Sequence, residues 1–406
     1  MSRALPVCMR TFGRPRARSA LAGLGAAVLA LALAGCGTAS NTSSNSAAAT
    51  VPGSVLDIVA SLPPGDSGGQ VASDVLDAEK LAYSRSGGKV GSFTLRLLIA
   101  HAGEISADAR QAVADTQAIA YLGEIQPGTS GVSLQITNEL GMLQVSPTDT
   151  AAYLTQRASG VPNAPGHFYP ASSTYRQTFA RMVPSSAAEA SALVSRMQSE
   201  KLTSVAVEHD SSAYGVSLAD ALSADARHAG MTVTSAGSGS TSGAGSSAAA
   251  IFYAGEPGPA ATHALDAAAS ADPHAKLFAP SALYDDTFVH GLSGAAQHAL
   301  TVSAPGIPHG SLDAVGQAFV NDFTRRYGHQ PAPQAIFGYE AMRALIATLQ
   351  QAGAHAAART IIVDDFRGLR RSAAQSALGA YSLHAGDTSL RSFVFARVAG
   401  GSLVVR

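Results

Sequence analysis

Short apolar runs alternate with amphipathic stretches of helical period along most of this chain, the pattern of α/β layers rather than of segregated helices and strands. The apolar runs predict strands at Val55–Ser61, Phe93–Ile99, Ala118–Leu122, Met142–Gln144, Ser204–Glu208, Ala249–Tyr253, Lys276–Phe278 and Leu300–Val302. The periodic stretches predict helices at Val71–Ser84, Ser130–Leu140, Ala187–Glu200, Ser217–Ala229, Pro259–Ala271, Leu312–Tyr327 and Pro333–Ala352. In Ser217–Ala229, Leu218 and Leu222 sit one turn apart while Asp220, Asp225 and Arg227 can point outward, and Gly230 follows as a stop signal.

Ala118–Thr155 is the most informative stretch. A strand leads through a Gly/Ser/Thr loop into a helix, and a second short strand runs into the polar turn Ser146-Pro147-Thr148-Asp149-Thr150. Strand-to-loop-to-helix is the unit of a doubly wound parallel sheet, which binds ligands beyond the carboxyl ends of its strands. Both strands here end in small hydroxyl residues and free backbone N–H groups, and one loop opens a helix whose N-terminus favours an anion. The pattern predicts a receptor site for a small anionic group such as a carboxylate.

Residues 1–36 read as a targeting leader. Arg3, Arg10, Arg14, Arg16 and Arg18 make a basic start, and Ala20–Ala34 is apolar but too short to span a bilayer permanently. The leader ends in Leu33-Ala34-Gly35-Cys36, which resembles the bacterial lipobox, where the Cys becomes the lipidated first residue. Cys8 leaves with the leader, so Cys36 is the sole thiol of an exported protein and has no intrachain partner. Residues 37–54 form a flexible tether, rich in Ser, Ala, Asn and Thr between 41 and 50. About 350 residues remain, room for two domains of ordinary size.

The formal net charge is −1 and there is no basic stripe, which weighs against nucleic acid or a polybasic membrane surface. Membrane attachment is therefore expected through the lipid. Trp is absent, so no indole can line a site. Neither H-E-x-x-H nor C-x-x-C occurs, and the Ser/Gly tract Ser235–Ser247 lacks the G-K-[ST] ending of a phosphate loop. His209-Asp210-Ser211 is contiguous, whereas a catalytic triad is assembled in space. No enzyme, metal or cofactor is expected.

GEIQPGTSGVSLQITNELGMLQVSPTDT resembles the first lobe of the bacterial branched-chain amino-acid-type solute-binding proteins, the type I periplasmic binding family. VAVEHDSSAYGVSLADAL is similar to that family's second-lobe strand, Tyr-Gly turn and helix, and AAIFYAGEPGPAATHAL and AKLFAPSALYDDTFV to the next two units. RRYGHQPAPQAIFGYEAMRALIATL resembles the late first-lobe segment, and GAYSLHAGDTSLRSFVFARVAGGSLV the closing hairpin. The resemblance implies an α/β, type I periplasmic-binding-protein fold: two doubly wound parallel-sheet lobes joined by three crossings, near Phe179–Pro184, Val302–Pro308 and Ser372–Gly379. Lobe one is then residues 55–179 plus 304–371, and lobe two 180–303 plus 372–406. It also implies a small-molecule ligand between the lobes and the permease of an ATP-binding-cassette (ABC) importer as partner. Some proteins of this fold instead bind no solute and act as envelope interaction or sensor modules, such as activators of cell-wall synthases.

By the same resemblance, Thr150 offers its hydroxyl and N–H to the ligand carboxylate and Thr148 its carbonyl to an ammonium. Pro127 falls where a carboxylate-binding Ser is usual, so Thr129 or Ser130 would supply the hydroxyl and Gly128 to Ser130 the amides, unless Ser130 simply caps its helix. Tyr214 stands where an aromatic closes over the ligand. Tyr339 is a weaker candidate, equally suited to core packing. The acid that neutralises an ammonium is replaced by Ser281, which favours a carboxylate or amide ligand over a standard amino acid. Glu256, or the rim acid Asp66, could compensate, though loop acids are commonly just solvated. The Ser235–Ser247 tract occupies the place of a second-lobe helix.

Overall fold

The computed structural model describes residues 50–63, 69–100, 102–235 and 248–406. The leader with Cys36, most of the tether, Asp66 and most of the Ser235–Ser247 tract lie outside the described residues.

Two sheets organise the chain. The first contains β1 (Val55–Ser61), β2 (Lys89–Val90), β3 (Phe93–Ala100), β4 (Ala118–Leu122), β5 (Leu143–Ser146) and β6 (Phe179–Arg181), in the order β2-β3-β1-β4-β5-β6. All pairings are parallel except the β2–β3 hairpin, and Ile58 of β1 stands opposite Leu97 and Ala120. Every residue of β4 is buried, because an inner parallel strand is covered on both faces; this is why it reads as a continuous apolar run.

The second sheet contains β7 (Ser204–His209), β8 (Thr232–Ser235), β9 (Ala250–Ala254), β10 (Lys276–Ala279) and β11 (Leu300–Pro305). After the small strands β12 (Arg370–Arg371), β13 (Tyr381–His384) and β14 (Asp387–Thr388), the chain adds β15 (Phe393–Ala399) and β16 (Ser402–Val405) to that sheet. Its order is β16-β15-β11-β10-β9-β7-β8, with β15 and β16 antiparallel. This is the expected mixed α/β architecture of two parallel-dominated sheets.

Helices Gly69–Ser84 and Ala335–Ala352 lie together in the core of the first sheet. They approach so closely at Gly338 that a Cβ there would stand 2.6 Å from the Val75 carbonyl oxygen. A separate cluster joins Tyr153, Leu154 and Phe168 from the first half of the chain to Tyr214, Leu218 and Phe278 from the second. The apolar interior is thus continuous across part of the boundary between the sheets.

Met182 and Val183 still belong to the first core after β6, and Ile307 packs on it after β11. The segment expected as the third crossing packs there too. Ala377, Leu378, Tyr381 and Leu383 sit in the first core, with Leu390 packed against it, and the chain reaches the second sheet only at Phe393. Buried Glu340 explains this, accepting the Ala377 N–H at 3.0 Å and the Tyr381 hydroxyl at 3.1 Å, which holds this segment to the first lobe.

Arg181, fully buried at the end of β6, ties the first crossing to that segment. Its Nε donates to Asp387 Oδ1 at 2.8 Å, one Nη to Thr155 Oγ1 at 2.9 Å and the other to the Asp149 carbonyl at 3.1 Å.

Local chemistry accounts for the shifted boundaries. Helix Ala213–His228 begins four residues earlier than the periodicity suggested, because the Ser212 hydroxyl caps it by accepting the Gly215 N–H at 2.9 Å. Helix Ser130–Thr137 tightens into a 3₁₀ turn over Asn138–Leu140, ended by left-handed Gly141. Helices Ile105–Ala114 and Arg359–Arg367 and strand β8 were not foreseen. No helix among the described residues is long and apolar enough to cross a membrane.

Candidate functional site

The carboxyl ends of β4, β5, β9 and β10 deliver their loops to a cavity of about 470 Å³ between the two sheets. Glu124, Gln126, Thr129 and Thr148 line it from the first sheet, and Glu256, Ser281 and Asp285 from the second. Ile105, Ile125 and Phe288 add an apolar flank, and Gln334 enters from the turn before helix Ala335–Ala352. The walls touch. The Gln126 amide reaches the Ala282 carbonyl at 3.5 Å, and a Cβ on Gly128 would lie 3.1 Å from Tyr214 Cβ.

Glu124 follows β4 after Gly123 and is buried. Its carboxylate accepts the Ser61 hydroxyl at 2.7 Å and the Tyr121 hydroxyl at 2.8 Å. Its main chain is held by Ser130 Oγ at 3.0 Å and Ser146 Oγ at 2.6 Å. Burial pushes the carboxyl up to about 7; hydroxyl donors oppose the shift and the charge of Asp108 adds to it. Sequence reasoning passed over Glu124, since an acid following an apolar strand reads as a solvated loop residue.

Asp149 overturns the expectation for the neighbouring amides. Its fully buried carboxylate accepts the N–H groups of Gly128 at 2.8 Å, Ser130 at 2.9 Å and Ala151 at 2.9 Å. The Gly128 and Ser130 amides expected to face a ligand anion therefore face an anion of the protein itself. Ser130 is engaged through its hydroxyl as well, accepting the Glu124 N–H rather than capping its own helix. The signal was present in the sequence, as an acid in the turn opposite a helix N-terminus.

Thr129 and Thr148 line the cavity, with hydroxyls donating to the carbonyls of Gln126 at 2.7 Å and Ile125 at 2.5 Å. Thr150 does not line it. It is fully buried, its hydroxyl within reach of the Tyr214 phenol but without a well-formed hydrogen bond.

On the opposite side, Tyr214 is buried in the first turn of its helix, with its hydroxyl 3.4 Å from Glu189 Oε2. Glu189, from helix Ser186–Ser199, also accepts the Ser281 N–H at 2.6 Å, the Ser281 hydroxyl at 3.1 Å and the Ser303 hydroxyl at 2.7 Å. Burial raises its carboxyl above the ordinary range, against the pull of those donors. Sequence reasoning weighed Glu256 and Asp66 as compensating acids and passed over Glu189, which reaches Ser281 from 92 residues away in sequence, a separation that no local motif reveals. Glu256 stands on the exposed lip, its carboxyl raised by partial burial and then by the charges of Asp210 and Asp149.

Tyr339 is not at the cavity. It belongs to the first core, with its ring 4.7 Å from that of Phe319 and its hydroxyl bonded by Arg85. Gln334, also unforeseen, is only 3% exposed, yet its Oε1 has no hydrogen-bond partner among the described residues.

A family model described as Periplasmic binding protein matches residues 101–394. Among solved structures, a leucine binding protein from Thermotoga maritima shares 19% identity at a TM-score of 0.71, over 86% of this chain and 97% of that one. An ABC transporter substrate-binding protein from Desulfitobacterium hafniense, in complex with Leu, shares 20% at 0.70, over 87% and 100%. A solute binding protein from R. palustris, in complex with benzoate, shares 17% at 0.65, over 86% and 95%. No curated protein matches the chain.

Proposed function

The chain belongs to the periplasmic binding protein family, and from that premise we propose that it is an extracytoplasmic solute receptor, anchored through a lipid on Cys36. It would hold a small polar ligand between its lobes and present it to the permease of an ABC importer. The observation that carries this reading is the cavity of about 470 Å³ walled by both sheets, within the range of small-molecule sites. A ligand there touches both lobes only when they are together, so its binding free energy favours the closed arrangement. The leucine and benzoate complexes of structurally similar proteins support a small organic ligand in this architecture. Binding rather than catalysis is the role proposed.

A second reading, an envelope interaction or sensor module without a solute, draws on Asp149 filling the amide site and on the contact of Gly128 with Tyr214. Thermal-shift measurements with amines, amino acids, small carboxylates and neutral amides separate the two. A ligand at ~100 times its dissociation constant adds about 2.7 kcal/mol, a readily visible rise in Tm. No stabilisation by any of these classes, together with tight capture of a defined envelope protein, would replace the receptor reading by the second one.

A further inference from the structure

We infer that the ligand of this cavity is an organic cation without a carboxylate of its own, an alkyl or aryl amine. The inference rests on the receptor reading and narrows it to a ligand class.

The amides that would fix a ligand carboxylate are already satisfied. Asp149 takes the N–H groups of Gly128, Ser130 and Ala151, all between 2.8 and 2.9 Å. A tethered carboxylate competes at an effective concentration of roughly millimolar or more, so a free one at micromolar level does not displace it. A ligand carboxylate placed instead in the cavity meets Glu256 and Asp285, and no Lys, Arg or His lines the cavity among the described residues. Like charges in such a space repel, while a cation relieves the repulsion.

Gln334 is an independent observation with the same direction. Its side chain belongs to the lining of the cavity, and its buried Oε1 lacks a donor among the described residues. An unsatisfied buried acceptor is unfavourable until a donor reaches it. An ammonium carries three donors and no acceptor, which suits a wall made of carboxylates and an amide carbonyl. Ile105, Ile125 and Phe288 provide the apolar surface for the remainder of the molecule.

The test compares three forms of one skeleton by titration calorimetry on the intact protein: 3-methylbutylamine, leucine and 4-methylpentanoate. Phenethylamine, phenylalanine and 3-phenylpropanoate form a parallel set. In at least one set the amine should bind about tenfold or more tighter than the amino acid, the value of one well-placed charged contact, and the carboxylate weakest of all. Glu256→Gln, on the exposed lip, should weaken the amine severalfold without disturbing the fold. Asp149→Ala frees the amides and should reverse the order in favour of the amino acid. Tighter binding of the amino acid, the carboxylate or a matched neutral amide to the wild type would overturn this inference and leave the receptor reading standing. Absence of binding by every one of these classes would overturn both.

Discussion

Glu124 joins the cavity to the stability of the fold. Its carboxyl sits at about 7 in the folded chain against an ordinary 4.5. The protonated form is therefore the one the fold favours: the stabilisation is complete below pH ~4.5 and is lost as pH rises through ~7. The shift corresponds to roughly 3 kcal/mol at most. The groups facing it are the Ser61 and Tyr121 hydroxyls from β1 and β4, the Ser133 hydroxyl from helix Ser130–Thr137, and the charge of Asp108 from helix Ile105–Ala114. Glu124→Gln should thus gain stability relative to wild type between pH 5 and pH 8, read by urea denaturation at both. Buried Glu189 and Glu340, raised in the same direction, titrate in both proteins, so the difference isolates Glu124. An unchanged difference between the two pH values would show that Glu124 does not titrate there. Little of this was legible beforehand. Glu124, Asp149, Glu189 and Gln334 acquire their roles from burial and from partners in other elements, which residue type and spacing do not encode.

Elements were far more legible than side chains, because hydrophobic periodicity is a local property. β1, β4 and helix Pro259–Ala271 coincide with the apolar pattern residue for residue. Helix Ile105–Ala114 escaped because most of its buried positions are Ala or Asp, which carry almost no hydrophobic signal. Helix Arg359–Arg367 escaped because its buried face is bounded by charged residues. The pairing of helices Gly69–Ser84 and Ala335–Ala352 depends on the missing side chain of Gly338. In an open helix, Gly→Ala stabilises by about 0.5–1 kcal/mol. Here the new Cβ meets the Val75 carbonyl oxygen at 2.6 Å, a main-chain atom that moves only with its helix. Overpacking of that kind costs about 1–3 kcal/mol, which outweighs the propensity gain. Gly338→Ala should therefore lower the denaturation midpoint, and a rise would mean that the helices part easily.

At the scale of the whole molecule, the order of strand-loop-helix units was enough to place the chain in its family. The segment expected as the third crossing packs on the first core because Glu340 and the Tyr381 hydroxyl, 41 residues apart, hold it there. Attachment of the receptor to the cell is predicted to depend on one thiol. Cys36→Ser should release the protein from the membrane fraction or leave its leader uncleaved, as judged by fractionation and N-terminal mass; a normally processed, membrane-bound variant would rule out the lipid anchor. The clamp made by Arg181 has a mechanical meaning for such a receptor. One guanidinium grips the end of the first crossing, the segment that enters the third and the main chain of Asp149. The chain leaving β6 and the chain approaching β15 are thereby riveted together at a common point on the first sheet. Any rotation of one lobe against the other would then be taken up outside that rivet, in the residues after Arg181 and before Phe393 and in the connection after β11, and would leave the turn that carries the built-in carboxylate fixed to the first sheet.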